Sequence, residues 1–368
     1  MTTSSWNKIR KDFPVTRKAI YLDHAAGGII PRPVEDEVNS FYRQCATGGD
    51  FFWPKWVAKR ESVRAKVADF IGAKPSEIAF ITSTSQGMNF IAEFLHDQGS
   101  VLTNTSEFPS STLPWVWRKS KMIWQNPEKG ILSLAKLKAL MSPSVKTIVT
   151  SYVQYCTGFR QDLTALGKLK GGRYLVVNAS QALGALAMDV KKWNADFLVS
   201  NSYKWLMGGY GGGILYMKEP WVKRFRPRTV GWRSAQTPEK MNNRELEIKD
   251  EASRYEMGCP SFPTIFGIGA AVDYLSGIGK DKVEKRILDL TDYAIQCLDK
   301  KGIPVLSPRE KRFRSGIVIA GVSDAQAVWQ KLIRKKIFVS LRGGGIRIAP
   351  HIYNTFEDMD ALMKVISA

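Results

Sequence analysis

Between residues 75 and 217 the chain repeats one pattern. A short run centred on consecutive apolar residues is followed by a longer amphipathic stretch, and the pair recurs. The apolar runs lie at 78–82, 100–104, 147–152, 174–177, 197–200 and 212–217 and are predicted strands. Helical periodicity fills 86–96, 111–121, 132–141 and 163–170 between them. A strand that is apolar throughout, and not only at alternate positions, is covered on both faces. Strands of that kind separated by helices fold as a largely parallel sheet with helices on either side, so the fold class is α/β.

The flanks read differently. Residues 1–18 look like an N-terminal arm, and 34–73 read as two helices broken at "TGGDFFWPKW". Residues 221–260 are polar, basic and aperiodic. Helical periodicity resumes over 263–279 and 281–301. A strand at 315–320, a helix at 325–335 and a strand through 337–350 follow. The last helix is opened by Thr355 with Asp358 three residues on, a capping box with Asp in place of Glu. The expected division is a large domain over 19–265 and a smaller α+β domain made from 1–18 plus 266–368.

Composition narrows the function classes. Hydrophobic residues make up 44% of the chain and charged residues 24%, which suits a globular protein and not a disordered one. No run of eighteen apolar residues marks a membrane span, and the start "MTTSSWNKIRKDFP" has no apolar signal region, so the expected location is cytoplasmic. The four cysteines and three histidines show no metal-ligand spacing and read as free thiols and isolated imidazoles. The net charge of +20 admits nucleic acid or an acidic partner. The basic residues are spread over several segments, none joined to a nucleic-acid motif, so a solvated basic surface is the favoured reading.

One lysine stands out. In "NSYKWLMGGYGGGILYM", residues 201–217, Lys204 follows a predicted buried strand and sits beside Tyr203, Trp205, Leu206 and Met207. An ammonium in apolar surroundings loses solvation, so its pKa falls. The neutral amine that results can attack a carbonyl.

This segment resembles the cofactor-lysine segment of fold-type I pyridoxal-phosphate enzymes, in the aminotransferase class V branch. That branch includes cysteine desulfurases, isopenicillin-N-epimerase-like proteins and kynureninases. The resemblance runs from about Tyr21 to about Thr355, with the motifs in the family's order. It implies a mostly parallel seven-stranded sheet and pyridoxal 5'-phosphate held covalently by Lys204, which would then serve as general base at Cα. "ITSTSQGMNFIA" (81–92) resembles the phosphate-binding turn, with Thr84, Ser85 and Gln86 at a helix N-terminus that favours an anion. Read locally, the same residues are also an ordinary N-cap. Asn201 and Tyr203 would lie near that phosphate.

Further motifs carry further implied roles. "NTSEFPSSTLPW" (104–115) resembles the segment bearing the ring that stacks on the cofactor. Phe108 stands there, where desulfurases have histidine, and a core phenylalanine is the local alternative. "SYVQYCTG" (151–158) implies Gln154 near the cofactor's phenolic oxygen, together with Gln181 of "VVNASQ". Asn178 takes the place of the family's aspartate beside the pyridine nitrogen. "SLRGGGIRIAPHIYNT" (340–355) resembles the strand whose arginine grips the substrate carboxylate, giving Arg347 and, less directly, Arg342; surface charge is the alternative for both. "YLDHAAGG" (21–28) resembles the strand near the substrate and brings in His24. "RYEMGCPSFP" (254–263) resembles the turn that reaches the other subunit's cofactor, with Cys259 in place of threonine and Tyr255 nearby, so a homodimer is implied.

Two departures limit the reaction. Desulfurases of this family keep a cysteine on the loop before the carboxylate arginine, and "KIFVSLRGGGIR" has none. The neutral Asn178 cannot support a protonated pyridine nitrogen by charge. The expected function is an enzyme acting at Cα of an α-amino acid, aminotransferase-like or carbon–sulfur-lyase-like. The alternative is a catalytically weakened protein of the same fold that binds a partner through its basic surface.

Overall fold

The apolar runs become strands where the pattern places them. The structure is a computed structural model that describes residues 3–366. In chain order the strands are β1 (Ile20–Tyr21), β2 (Ile78–Ile81), β3 (Ser100–Asn104), β4 (Met122–Gln125), β5 (Val145–Ser151), β6 (Tyr174–Asn178), β7 (Phe197–Asn201), β8 (Gly213–Met217), β9 (Val318–Ala320), β10 (Ile337–Phe338), β11 (Ser340–Arg342) and β12 (Gly345–Ile348). Seven of them form one sheet in the order β2-β8-β7-β6-β5-β3-β4. Only β8 runs against its neighbours; the pairs from β7 across to β4 are parallel.

Strand β4 is absent from the sequence pattern. It lies at the sheet edge, and Trp124 in it is 40% exposed. An edge strand need not be apolar on both faces, so the continuous run is missing. The helix expected over 111–121 is Pro109–Trp117, and the chain turns away at Lys119, whose φ is 56°.

The alternation of side chains along the central strands builds two cores. Leu175 and Val177 pack on one face, with the helices Trp53–Ile71 and Phe262–Ile278. Val176 packs on the other, with Met88, Ile91 and Leu95 of the helix Thr84–Leu95 and with Trp115. Burying each such aliphatic side chain stabilises by roughly 2 kcal/mol, which holds the sheet as a rigid platform.

The C-terminal region forms a second sheet, β11-β12-β9, antiparallel throughout. It has its own core with the helices Lys280–Lys300, Ala325–Arg334 and Phe356–Ile366. The single strand expected through 337–350 is broken because Gly343 and Gly344 both take positive φ, 63° and 81°. That pair makes a two-residue hairpin turn between β11 and β12. The capping box is present: Asp358 N donates to Thr355 Oγ1 at 3.2 Å, and Thr355 N donates to Asp358 Oδ2 at 3.1 Å. In the N-terminal arm, Arg10 Nη1 donates to Asp358 Oδ2 at 2.8 Å. The expected boundary at 265/266 falls inside the helix Phe262–Ile278, whose buried side chains belong to the core under the large sheet. Residues 1, 2, 367 and 368 of the expected small domain lie outside the described residues.

Candidate active site

A cleft of about 530 Å³ opens where the parallel strands end. Its lining comes from the segments just past five carboxyl ends: Ser83, Thr84 and Ser85 after β2, Phe108 and Ser110 after β3, Val153 and Tyr155 after β5, Ser180 and Gln181 after β6, and Tyr203 and Lys204 after β7. Ser151, Asn178 and Asn201 are themselves the last residues of β5, β6 and β7. Ligands of open α/β sheets bind in this crevice, because the loops there converge.

Lys204 is 9% exposed. Burial, and then repulsion from Arg347, push its amine down from 10.5 to about 8, against the pull of Asp23. Its Nζ lies 5.6 Å from the centre of the Phe108 ring. Phe108 itself is 44% exposed and meets Tyr155 edge-on at 5.2 Å, so it is a wall of the cleft and not a core residue. Tyr203 stacks on Tyr210 at 4.5 Å.

The helix Thr84–Leu95 points its N-terminus at the cleft. Ser83 caps it, its hydroxyl accepting from Gln86 N at 3.2 Å. Thr84 and Ser85 supply first-turn amides, which have no acceptor within a helix. Thr84 Oγ1 and Ser180 Oγ share a hydrogen bond at 2.9 Å. Asn201, also in the lining, has its Oδ1 buried with no partner among the described residues. Amide donors, hydroxyls, an unpaired amide side chain, a flat ring and a lysine together fit a phosphorylated aromatic aldehyde.

The amides at the cleft floor are held firmly. Ser180 N donates to Asn178 Oδ1 at 3.0 Å, and Asn178 Nδ2 donates to Ser111 Oγ at 2.8 Å. The backbone donor fixes which amide atom is oxygen. Gln181 Nε2 donates to Ala25 O at 2.8 Å, and its Oε1 accepts from Trp205 Nε1 at 2.8 Å.

Arg347 is buried beside the cleft. It donates to Tyr155 O, to Asp23 Oδ1 and to Ser340 Oγ at 3.2–3.3 Å, and its Nε has no partner among the described residues. These long contacts leave donor capacity for a carboxylate. Arg342 is exposed at the hairpin, where its Nη1 donates to its neighbour's carbonyl, Leu341 O, at 2.8 Å.

Several expected residues are not in this cleft. Val153 bridges to Arg160 and lines it, which turns Gln154 away to donate to Glu107 Oε1 at 2.6 Å. His24 is fully buried, paired with Tyr353 Oη at 2.9 Å, and desolvation holds its imidazole neutral. The side chain of Gln86 folds back to accept from Thr82 N at 2.8 Å. Cys259 is exposed in a second cleft with Thr82, Gln86, Gly211 and Thr264. Tyr255 is a core residue packed on Phe90, its hydroxyl donating to Phe225 O at 2.9 Å.

Glu107 is a residue that sequence reasoning passed over. Its buried carboxylate accepts from Ser151 N and Ser151 Oγ, both at 2.6 Å, from Gln154 Nε2 at 2.6 Å and from Asn104 Nδ2 at 2.9 Å. It thereby fixes Ser151 in the cleft and the start of the Phe108 segment. The signal was a lone acid in "NTSEFPSS"; Asn104 lies in the same stretch, but Ser151 and Gln154 are more than forty residues away and cannot be read from it. Glu107→Ala strands four donors and is expected to cost about 3 kcal/mol or more in urea unfolding. Glu107→Gln keeps most partners and is expected to cost less than half of that.

A buried lysine and a helix start with free amides thus meet at the carboxyl ends of the parallel sheet, with an arginine of the second sheet beside them. The chain belongs to the aminotransferase class-V family, whose profile matches residues 20–362. It is similar to a probable cysteine desulfurase of Pyrococcus abyssi, at 28% identity over 97% of this chain and 96% of that one. It is also similar to an uncharacterized aminotransferase of Bacillus subtilis, at 26% identity over 98% and 96%. Among solved structures, the apo cysteine desulfurase of Thermococcus onnurineus NA1 superposes with a TM-score of 0.89 at 27% identity, over 98% of this chain and 96% of that one.

Proposed function

We propose that this chain is a pyridoxal-phosphate enzyme that acts at Cα of an α-amino acid bearing a sulfur substituent at Cβ, and that it cleaves the carbon–sulfur bond by elimination. The carrying observation is Lys204, a buried amine on the wall of the cleft that the helix start at Thr84 and Ser85 also lines, near enough to Arg347 to be repelled by it. Members of the family depend on this cofactor, which supplies an aldehyde and a sink for the electron pair left when a bond to Cα breaks. Lys204 would hold it. The amides of Thr84 and Ser85 would take the phosphate, the open face of Phe108 the ring, and Asn178 and Gln181 the ring's polar edge. Arg347 would take the substrate carboxylate, and the freed Lys204 amine would remove the proton from Cα.

Two features favour elimination. Asn178 carries no charge, so it lends the ring less support as an electron sink. A good leaving group at Cβ reduces the need for that support, whereas transamination must hold the electron pair until a proton returns. The hairpin between β11 and β12 turns in two glycines and carries no thiol to accept sulfur. Sulfur would then leave to solution, with cysteine and water giving pyruvate, ammonia and sulfide.

The same reading makes the protein a cytoplasmic homodimer, with Cys259 and its cleft facing the second copy. No helix among the described residues is long and apolar enough to cross a membrane. The test is a product assay with cysteine and cystine. Pyruvate appearing in step with reduced sulfur supports elimination. Alanine with a protein-bound persulfide, or amino transfer to an added keto acid without sulfur release, overturns it.

Asn178→Asp isolates the ring-nitrogen argument. Aspartate can still accept from Ser180 N and from the Ser111 hydroxyl, so the fold is expected to lose less than about 1 kcal/mol. The ring nitrogen gains a charged partner, and each unit of pKa is about 1.4 kcal/mol. The ¹⁵N resonance of labelled cofactor is expected to move from the bare to the protonated position. A resonance already protonated in the parent protein would remove this argument.

A further inference from the structure

We infer that His351 is a positioning residue for Lys204, acting across the boundary between the two sheets through the carbonyl of Trp205. The inference rests on the assignments of Lys204 and Arg347 given above. Trp205 follows Lys204 in the chain and is 1% exposed. It is clamped at both ends. Its indole Nε1 donates to Gln181 Oε1 at 2.8 Å, on the large-sheet side. Its carbonyl lies 3.0 Å from His351 Nε2, on the segment that follows β12.

Two glycines show how closely Trp205 is fitted. A Cβ at Gly316 would come within 2.5 Å of the indole ring. One at Gly184, where φ is 95°, would come within 2.4 Å of the Trp205 carbonyl oxygen. The indole and the carbonyl thus have little space to shift, and neither does the adjoining peptide that carries Lys204.

The imidazole is set to donate. A carbonyl oxygen only accepts, so Nε2 carries the hydrogen. Nδ1 is buried with no partner among the described residues, and in a neutral ring that donates from Nε2 it is bare. Burial pushes the ring down to about 3, so it stays a neutral donor through the working pH range. The His24 ring packs against it tilted by 35°, with centroids 4.5 Å apart, and His351 N donates to Asn354 Oδ1 at 2.9 Å, which fixes the backbone.

The segment carrying His351 also carries Arg347, four residues earlier. Between them Ala349 N donates to Leu22 O at 2.7 Å, and His24 N donates to Ala349 O at 3.2 Å. Asp23, the ion-pair partner of Arg347, lies in the same pairing. One pinned segment therefore touches the site twice, at the carboxylate arginine and at the peptide next to the lysine.

The experiment follows Lys204 in cofactor-free protein. Each variant is pulsed with formaldehyde and cyanoborohydride across a pH series, and methylation of the Lys204 peptide is read by mass spectrometry. The parent midpoint is expected near 8. His351→Leu removes the donor at similar volume and lets the lysine peptide loosen and hydrate. The midpoint is expected to rise by about one unit, and Lys204 to react about tenfold more slowly at pH 7. His351→Gln, which restores an N–H donor, is expected to recover most of that loss. Leu332→Ala, in the core of the second sheet, is expected to lower the melting temperature and leave the midpoint in place. If His351→Leu behaves like Leu332→Ala, the residue is only structural and the inference fails. Should His351→Leu not fold, Trp205→Phe removes the other clamp and is expected to shift the midpoint in the same direction; no shift there would also overturn it. A parent midpoint at the ordinary lysine value would defeat the reading of Lys204 itself, which is a separate outcome.

Discussion

Replacing Lys204 with methionine is expected to abolish turnover and, at neutral pH, to make the cofactor-free protein more stable. The loss of turnover follows from losing both the group that holds the cofactor and the base at Cα, at least ~10⁴-fold. The gain in stability follows from burial. The amine stands at about 8 in the folded chain and at 10.5 as an ordinary lysine. Below about pH 8 both states are charged, and the folded state bears the full cost of the buried ammonium, on the order of 3 kcal/mol. Between about 8 and 10.5 the unfolded chain binds more protons, so stability rises with pH. Above 10.5 the cost is gone. Urea unfolding should therefore show Lys204→Met ahead of the parent at pH 7, with the gap closing by pH 11. An equal gap at both values would mean that the lysine is not the buried, shifted group described above.

The second large effect is at Arg347. Arg347→Gln removes a guanidinium whose planar pair of donors suits a carboxylate. It also leaves Asp23 with only Ser340 Oγ, at 2.6 Å, among its side-chain partners. Losing one member of a buried ion pair costs roughly 3–5 kcal/mol of stability, and less here because Asp23 keeps some solvent. The value of kcat/KM is expected to fall by ~10²–10³-fold, corresponding to about 3–4 kcal/mol. Arg342→Gln, at an exposed hairpin position, is expected to change it less than about twofold. Steady-state kinetics on the two variants checks both. If Arg342→Gln carries the larger loss, the roles of the two arginines are reversed.

What could be read from the sequence depended on how local its cause was. Strand β7 starts at the expected residue and runs one residue longer, because three consecutive apolar positions, Phe197 to Val199, leave a dense local signal. Lys204 was legible because its apolar neighbours and the strand before it sit in one short stretch. The edge strand β4 was not, since half-exposed edges lose that signal. Gln154 illustrates the role of parity: the Val153 bridge to Arg160 decides which of two adjacent side chains faces the cleft, and nothing in "SYVQYCTG" fixes it. His24 sits in the motif near the substrate, yet Tyr353 and His351, more than three hundred residues away, draw it into the core. Glu107 meets Ser151 and Gln154, and His351 meets Trp205, only through the fold.

The most direct test of the central assignment is borohydride reduction of the protein after incubation with pyridoxal phosphate, followed by peptide mass spectrometry. The expected result is one phosphopyridoxyl group, on the peptide containing Lys204, with none on Lys204→Met. A label on another lysine, or no label at saturating cofactor, would contradict the account.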